Sequence, residues 1–215
     1  MLEKKFGRRR FVTATAATTA GLFVASDHKF GFTQDKDKTE SKVEAVPVEA
    51  DFVRDYDAPK FKPQWKKKQI NRQMAADFVI YAHSDIKMVK MLIEREPGLV
   101  NASLDWGNGD WETALGGASH MGRQDIAKVL LSHGARMDLF CSAMMGQLEI
   151  VKAMLALEPT LIDAKGPHGF NLHWHAQVGA DNAKPVLDYL QSIKEVKLRP
   201  VPWLKKKSDK NNSKN

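Results

Sequence analysis

Thr113-Ala114-Leu115-Gly116-Gly117-Ala118-Ser119-His120-Met121-Gly122, followed by Arg123-Gln124-Asp125-Ile126-Ala127-Lys128-Val129-Leu130-Leu131-Ser132-His133-Gly134-Ala135, reads as two helices and a break. A short apolar helix is predicted from Thr113 to His120, and Gly122 stops it. Ile126, Val129, Leu130 and Leu131 then recur at three- and four-residue spacing and stripe one face of a second helix, which Gly134 caps. Asp125 falls in the first turn of that helix, where its charge suits the dipole. One such pair cannot bury its apolar stripe alone, but stacked pairs can.

The same unit recurs along the chain, and fixed-period self-similarity points to an array. Phe78, Val89, Lys90, Glu96, Pro97, Leu99 and Ala102 return 62 residues later as Phe140, Val151, Lys152, Glu158, Pro159, Leu161 and Ala164. Gly122, Ile126, Lys128 and Leu131 match Gly146, Ile150, Lys152 and Leu155. Leu115, Gly122, Val129 and Leu130 match Leu172, Gly179, Val186 and Leu187. Four interlocking units result, at about 70–104, 105–137, 138–165 and 166–193. In the first and third the second helix is expected to end just before Pro97 and Pro159, because proline disfavours helical geometry in the residue before it.

Thr113-Ala114-Leu115, Ala118, Gly122, Ile126 to Leu131 and Gly134-Ala135 resemble the ankyrin repeat, with its T-P-L-H-x-A opening, glycine, aliphatic helix and Gly-Ala. In the fourth unit Leu172-His173 and Gly179 fit that pattern, whereas Phe170 and His175 stand where Thr and Ala are usual. The first and third units lack the Thr-Pro-Leu-His portion, so their opening hairpins are expected to be short. The resemblance covers residues 70–193. It implies an all-α, ankyrin-type helical solenoid of about four stacked helix pairs, and a binding scaffold rather than an enzyme.

Around this array lie segments of other composition. Lys and Arg outnumber Asp and Glu by 33 to 26, but residues 1–26 and 194–215 hold 13 of the basic side chains and three of the acids. The remainder is slightly acidic, which argues against nucleic acid as a partner. Residues 27–50 lack periodicity and are expected to form a flexible linker. Residues 51–69, with Phe52, Tyr56, Phe61 and Trp65 between Pro59 and Pro63, read as an extended strap against the first unit. The Lys-rich residues 194–215 read as a disordered tail. Cys141 is the only cysteine, so no intramolecular disulfide or cysteine zinc cluster is available.

At the amino terminus Lys4, Lys5, Arg8, Arg9 and Arg10 precede an uncharged stretch from Phe11 to Ser26, a signal-peptide layout. Gly7-Arg8-Arg9-Arg10-Phe11-Val12 resembles the twin-arginine export motif, with Arg8, Arg9 and Phe11 as its diagnostic residues. Val24-Ala25-Ser26 offers small residues for cleavage. The resemblance implies that the mature chain works in the periplasm or outside the cell. The run is shorter and more polar than the roughly 20 apolar residues that a spanning helix needs, so no stable membrane insertion is expected.

Candidates for chemistry are few. His173 and His175 would share a face on a strand, but they fall in a predicted helix, where paired ligands need three- or four-residue spacing. They are read as structural histidines, Trp174 as a core wedge and Cys141 as a small buried hydrophobe. Asp105 to Trp111 contains the turn signal Asn108-Gly109 and lacks the length and terminal glutamate of an EF-hand loop, so it is read as a long finger carrying Trp106 and Trp111. No catalytic residue, metal ligand or cofactor is expected. The residues before each break, Ala82 and His83, His120 and Met121, Met144 and Met145, Gln177 and Val178, are expected to line a concave face. An unidentified protein partner would then meet Trp106, Trp111, His120, Met121, Met144, Met145 and Gln177, the chain alone being monomeric. A metal or cofactor carrier and a structural envelope protein are the alternatives.

Overall fold

The computed structural model describes residues 49–61 and 66–204. Residues 1–26, read above as an export signal, linker residues 27–48, Trp65 and the tail from residue 205 lie outside the described residues. The chain divides into residues 1–60 and 61–215. In the first part residues 49–60 form no regular element, and Phe52 and Tyr56 are exposed, with their rings 6.1 Å apart. Phe61 is exposed as well.

Residues 66–204 are helical, in pairs: α1 (Arg72–Tyr81) with α2 (Ile86–Arg95), α3 (Ala114–His120) with α4 (Gln124–Ser132), α5 (Leu139–Met144) with α6 (Leu148–Leu157), and α7 (Leu172–Val178) with α8 (Ala180–Ile193). Short polar side chains start all four first helices. Asn71, Thr113, Asp138 and Asn171 each accept a backbone N–H of the first turn, and Asp85 does the same for α2. Where α4 and α6 lack a side-chain cap, Asp125 and Glu149 face the helix dipole instead.

The first helices lie side by side, α1 on α3, α3 on α5 and α5 on α7, while α2 meets α4 and α6 meets α8. Every residue of α3 is buried, which its small Gly116-Gly117-Ala118-Ser119 run permits. Two buried clusters result. Phe78, Val89, Ile93, Leu99, Leu115, Ile126 and Leu130 centre the first; Leu139, Val151, Leu172, Val186 and Leu190 centre the second.

The 62-residue repeat is visible in the backbone. Glu96 and Glu158 end α2 and α6 with matching dihedrals (φ −140°, ψ 87° and φ −139°, ψ 87°), and each accepts a backbone N–H from the 3₁₀ turn that its proline begins. Gly122 and Gly146 turn left-handed at φ +68° and +76°. A Cβ there would stand 2.4 Å from the Val178 carbonyl oxygen and 2.1 Å from that of Asn182. The fourth unit departs from its sequence match: Gly179 stays right-handed, and Ala180 takes the left-handed position at φ 52°. The missing side chain of Gly179 serves a close approach to the Met144 carbonyl instead.

Two fingers project from the pairs. β1 (Ser103–Asp105) and β2 (Trp111–Thr113) form an antiparallel hairpin, and the Asp105 carboxylate accepts the N–H groups of Gly107 and Gly109 to shape its tip. The fourth unit has a smaller one, closed by a bridge between Lys165 and Asn171. The disordered tail expected from residue 194 is corrected for residues 194–204. His173 and Gln177 reach the carbonyls of Lys194 and Arg199, and Trp203 meets Trp174 edge to face. Those side-chain donors satisfy the segment's backbone, which a count of lysines does not reveal.

Candidate metal centre

Among the described residues Glu112 is the only buried acidic side chain, 1% exposed on β2 between exposed Trp111 and the cap residue Thr113. Strand alternation turns it inward while Trp111 faces solvent. Three histidines surround it. His83 follows α1, His120 is the last residue of α3, and His168 sits in the 3₁₀ turn Pro167–Gly169 of the fourth unit's finger. One ligand atom from each of the four side chains lies within 4.8 Å of the others.

The contacts centre on the carboxylate. Glu112 Oε2 lies 3.2 Å from His83 Nε2 and 3.6 Å from His168 Nε2, and Oε1 lies 2.9 Å from His120 Nδ1. That last pair is not aligned as a hydrogen bond, and both buried atoms lack a hydrogen-bond partner. Two of these contacts reach Oε2 and one reaches Oε1, and the four ligand atoms lie within 4.8 Å of one another, against an edge of ~3.3 Å for a tetrahedron with bonds of ~2.0–2.1 Å.

Each side chain is also held from behind, as metal ligands commonly are. His83 Nδ1 donates to the Val79 carbonyl at 3.0 Å, and its ring lies where a Cβ on Gly117 would be, 2.8 Å from the ring. Trp106 Nε1 donates to Glu112 Oε2 at 2.8 Å. His120 stacks on Phe170, and its carbonyl accepts the Trp174 indole N–H at 3.0 Å. His168 Nδ1 meets Asp110 Oδ2 at 2.8 Å.

Burial alone would push the Glu112 carboxyl up, but the adjacent His120 and His83 outweigh it and hold it down at about 2. For His83 burial opposes the charge, while Glu112 and two backbone carbonyls outweigh it and raise the imidazole. Three imidazoles and one carboxylate suit zinc, copper, nickel or iron. Calcium and magnesium prefer all-oxygen shells.

The other expected site residues are scattered. Trp111 is 62% exposed and Trp106 42%, though the Trp106 indole is engaged with Glu112. Met121, Met145 and Gln177 are half-buried, and Gln177 gives its amide to the Arg199 carbonyl. His120 and Met144, expected on an open concave face, are instead buried, at 4% and 0% exposure. The first helices pack shoulder to shoulder, so the next unit covers the inward residues of each last turn. His173 Nε2 meets the Lys194 carbonyl and His175 Nδ1 the Asn171 carbonyl. Cys141 is buried, and burial pushes its thiol up to about 11. The sequence reading did not bring His83, Glu112, His120 and His168 together, because no two share a local spacing. The one sequence signal was that His83 and His120 precede the breaks of adjacent units.

Comparison with known proteins gave no match to a family model, a curated protein or a solved structure. Among the described residues no helix is long and apolar enough to cross a membrane.

Proposed function

We propose that this chain is an exported helical-repeat protein of ankyrin type that binds one divalent transition-metal ion through His83, Glu112, His120 and His168. The observation that carries the reading is the convergence of three imidazoles on one buried carboxylate, brought together from three of the four units. Glu112 Oε1 and His120 Nδ1, buried 2.9 Å apart without an aligned hydrogen bond, gain from a group that bridges them. A shared cation does so. Support for the ankyrin-type array comes from the repeated pairs and the matching turns after α2 and α6. Support for export comes from Arg8, Arg9 and Phe11; normal processing of a chain carrying Arg8→Lys and Arg9→Lys would contradict it.

The test is a calorimetric titration of zinc into metal-free protein, with melting followed in parallel. One equivalent is expected to bind. Zinc at 100 times Kd should add about 2.7 kcal/mol, or roughly 5 to 10 °C in Tm. Glu112→Gln should remove both effects, and an unchanged titration with that variant would overturn the proposal.

A protein-binding scaffold is the second reading, favoured by the exposed Trp111 at the base of the first finger's tip. Retention of a partner by the wild type but not by Trp111→Ser would support it, and equal retention by both would exclude that surface.

A further inference from the structure

Three of the four side chains at the centre are fixed by the first two units. Glu112 and His120 are buried, and His83 is held by backbone carbonyls and packed over Gly117. His168 differs. It is carried on a three-residue turn of the fourth unit, in left-handed backbone at φ 56°, and its contact with Glu112, at 3.6 Å, is the longest of the three. A non-glycine residue keeps such a conformation where its surroundings impose it, and ligand clamps are among the places where that happens.

What imposes it is Asp110. Its Oδ1 accepts the His168 backbone N–H at 2.9 Å, and its Oδ2 lies 2.8 Å from His168 Nδ1. Asp110 is itself set by the first finger, where its carbonyl accepts the Trp106 N–H and its N–H donates to the Gly107 carbonyl. An ionised carboxylate only accepts, so Nδ1 must carry the proton. The lone pair is then left on Nε2, the atom facing Glu112. Between the two fingers the third unit has no hairpin, since α4 ends at Ser132 and α5 begins at Leu139. The fingers of units two and four therefore meet across it, 58 residues apart in sequence.

We infer that Asp110 is the positioning residue of the metal centre: it fixes the tautomer and direction of His168, making His168 the ligand that closes the site and clasps the fourth unit's finger to the second's. This rests on the metal-binding reading. The ion would tie residues of the first buried cluster's units to a loop that leads into α7.

The experiment uses cobalt(II) as a spectroscopic probe on the full mature chain, in the wild type and in Asp110→Asn, Asp110→Glu and His168→Ala. The wild type should give the intense visible bands of four-coordinate cobalt. Asparagine keeps the acceptor for the backbone N–H but can donate to Nδ1, moving the proton to Nε2. Asp110→Asn should therefore lose affinity by about 10- to 100-fold and give the His168→Ala spectrum. Asp110→Glu, which restores the carboxylate, should recover the wild-type bands in part, and the metal-free melting temperatures of wild type and Asp110→Asn should stay close. Wild-type bands and affinity in Asp110→Asn would overturn the role of Asp110 and leave metal binding standing. Absence of cobalt binding by the wild type would overturn the metal reading itself. An Asp110→Asn chain that fails to fold would shift the decision to Asp110→Glu, where bands identical to His168→Ala would overturn the inference.

Discussion

His175 and Glu112 are both buried titratable groups, and the protein treats them in opposite ways. Glu112 keeps its charge because histidines stand beside it. His175 gives its charge up: burial pushes it down to about 4, against the weaker opposing effect of the Asn171 carbonyl, with His120 and Glu112 acting from nearby. The folded chain then holds fewer protons at His175 than the unfolded chain between pH 6.5 and about 4. Stability from this residue is therefore complete above pH 6.5 and is lost as pH falls toward 4, by an amount on the order of 3 kcal/mol. Glu112 adds a second loss at lower pH, between its ordinary value of 4.5 and about 2. Denaturant titrations of metal-free protein from pH 7 to 4 should show the first loss. In His175→Phe the slope over that window should flatten, and an unchanged slope would place the titrating group elsewhere.

The helices were the most legible part of the chain. The stripe Ile126, Val129, Leu130 and Leu131 and the stops at Gly122, Pro97 and Pro159 are local signals, and each helix ends where they place it. Trp174, read as a wedge between units, is buried with its indole N–H on the His120 carbonyl. What failed were inferences about which positions a neighbour would leave open or turn left-handed. Gly179 matches Gly122 in sequence, yet the left-handed turn falls on Ala180, and glycine at position 179 serves the close approach to Met144 instead. The methionines suffered likewise: Met144 is apolar at the right helical position for either face, and only the next unit decides which. Gly122→Ala tests the element scale. It forces a left-handed alanine and a Cβ against the Val178 carbonyl, so it should cost at least about 1–3 kcal/mol in urea unfolding. Gly134→Ala shares the left-handed strain but meets nothing within 4 Å, so it should cost less. Equal costs would mean that the Gly122 contact is relieved by a small shift.

Across residues 66–204 the candidate centre draws on three of the four units. His83, Glu112 and His120 come from the first two, and His168 from the loop that leads into α7, a helix that contributes to both buried clusters. No sequence spacing encodes such a site, because its ligands meet only after the first helices have stacked. Zinc binding would then act as folding energy shared among those units. Extended X-ray absorption fine structure on the zinc-loaded protein addresses this most directly, since it reports the donors around the ion. Four nitrogen or oxygen donors at ~2.0–2.1 Å, with the outer-shell scattering of three imidazoles, are expected. A six-oxygen shell, or fewer than two imidazoles, would contradict the centre of His83, Glu112, His120 and His168.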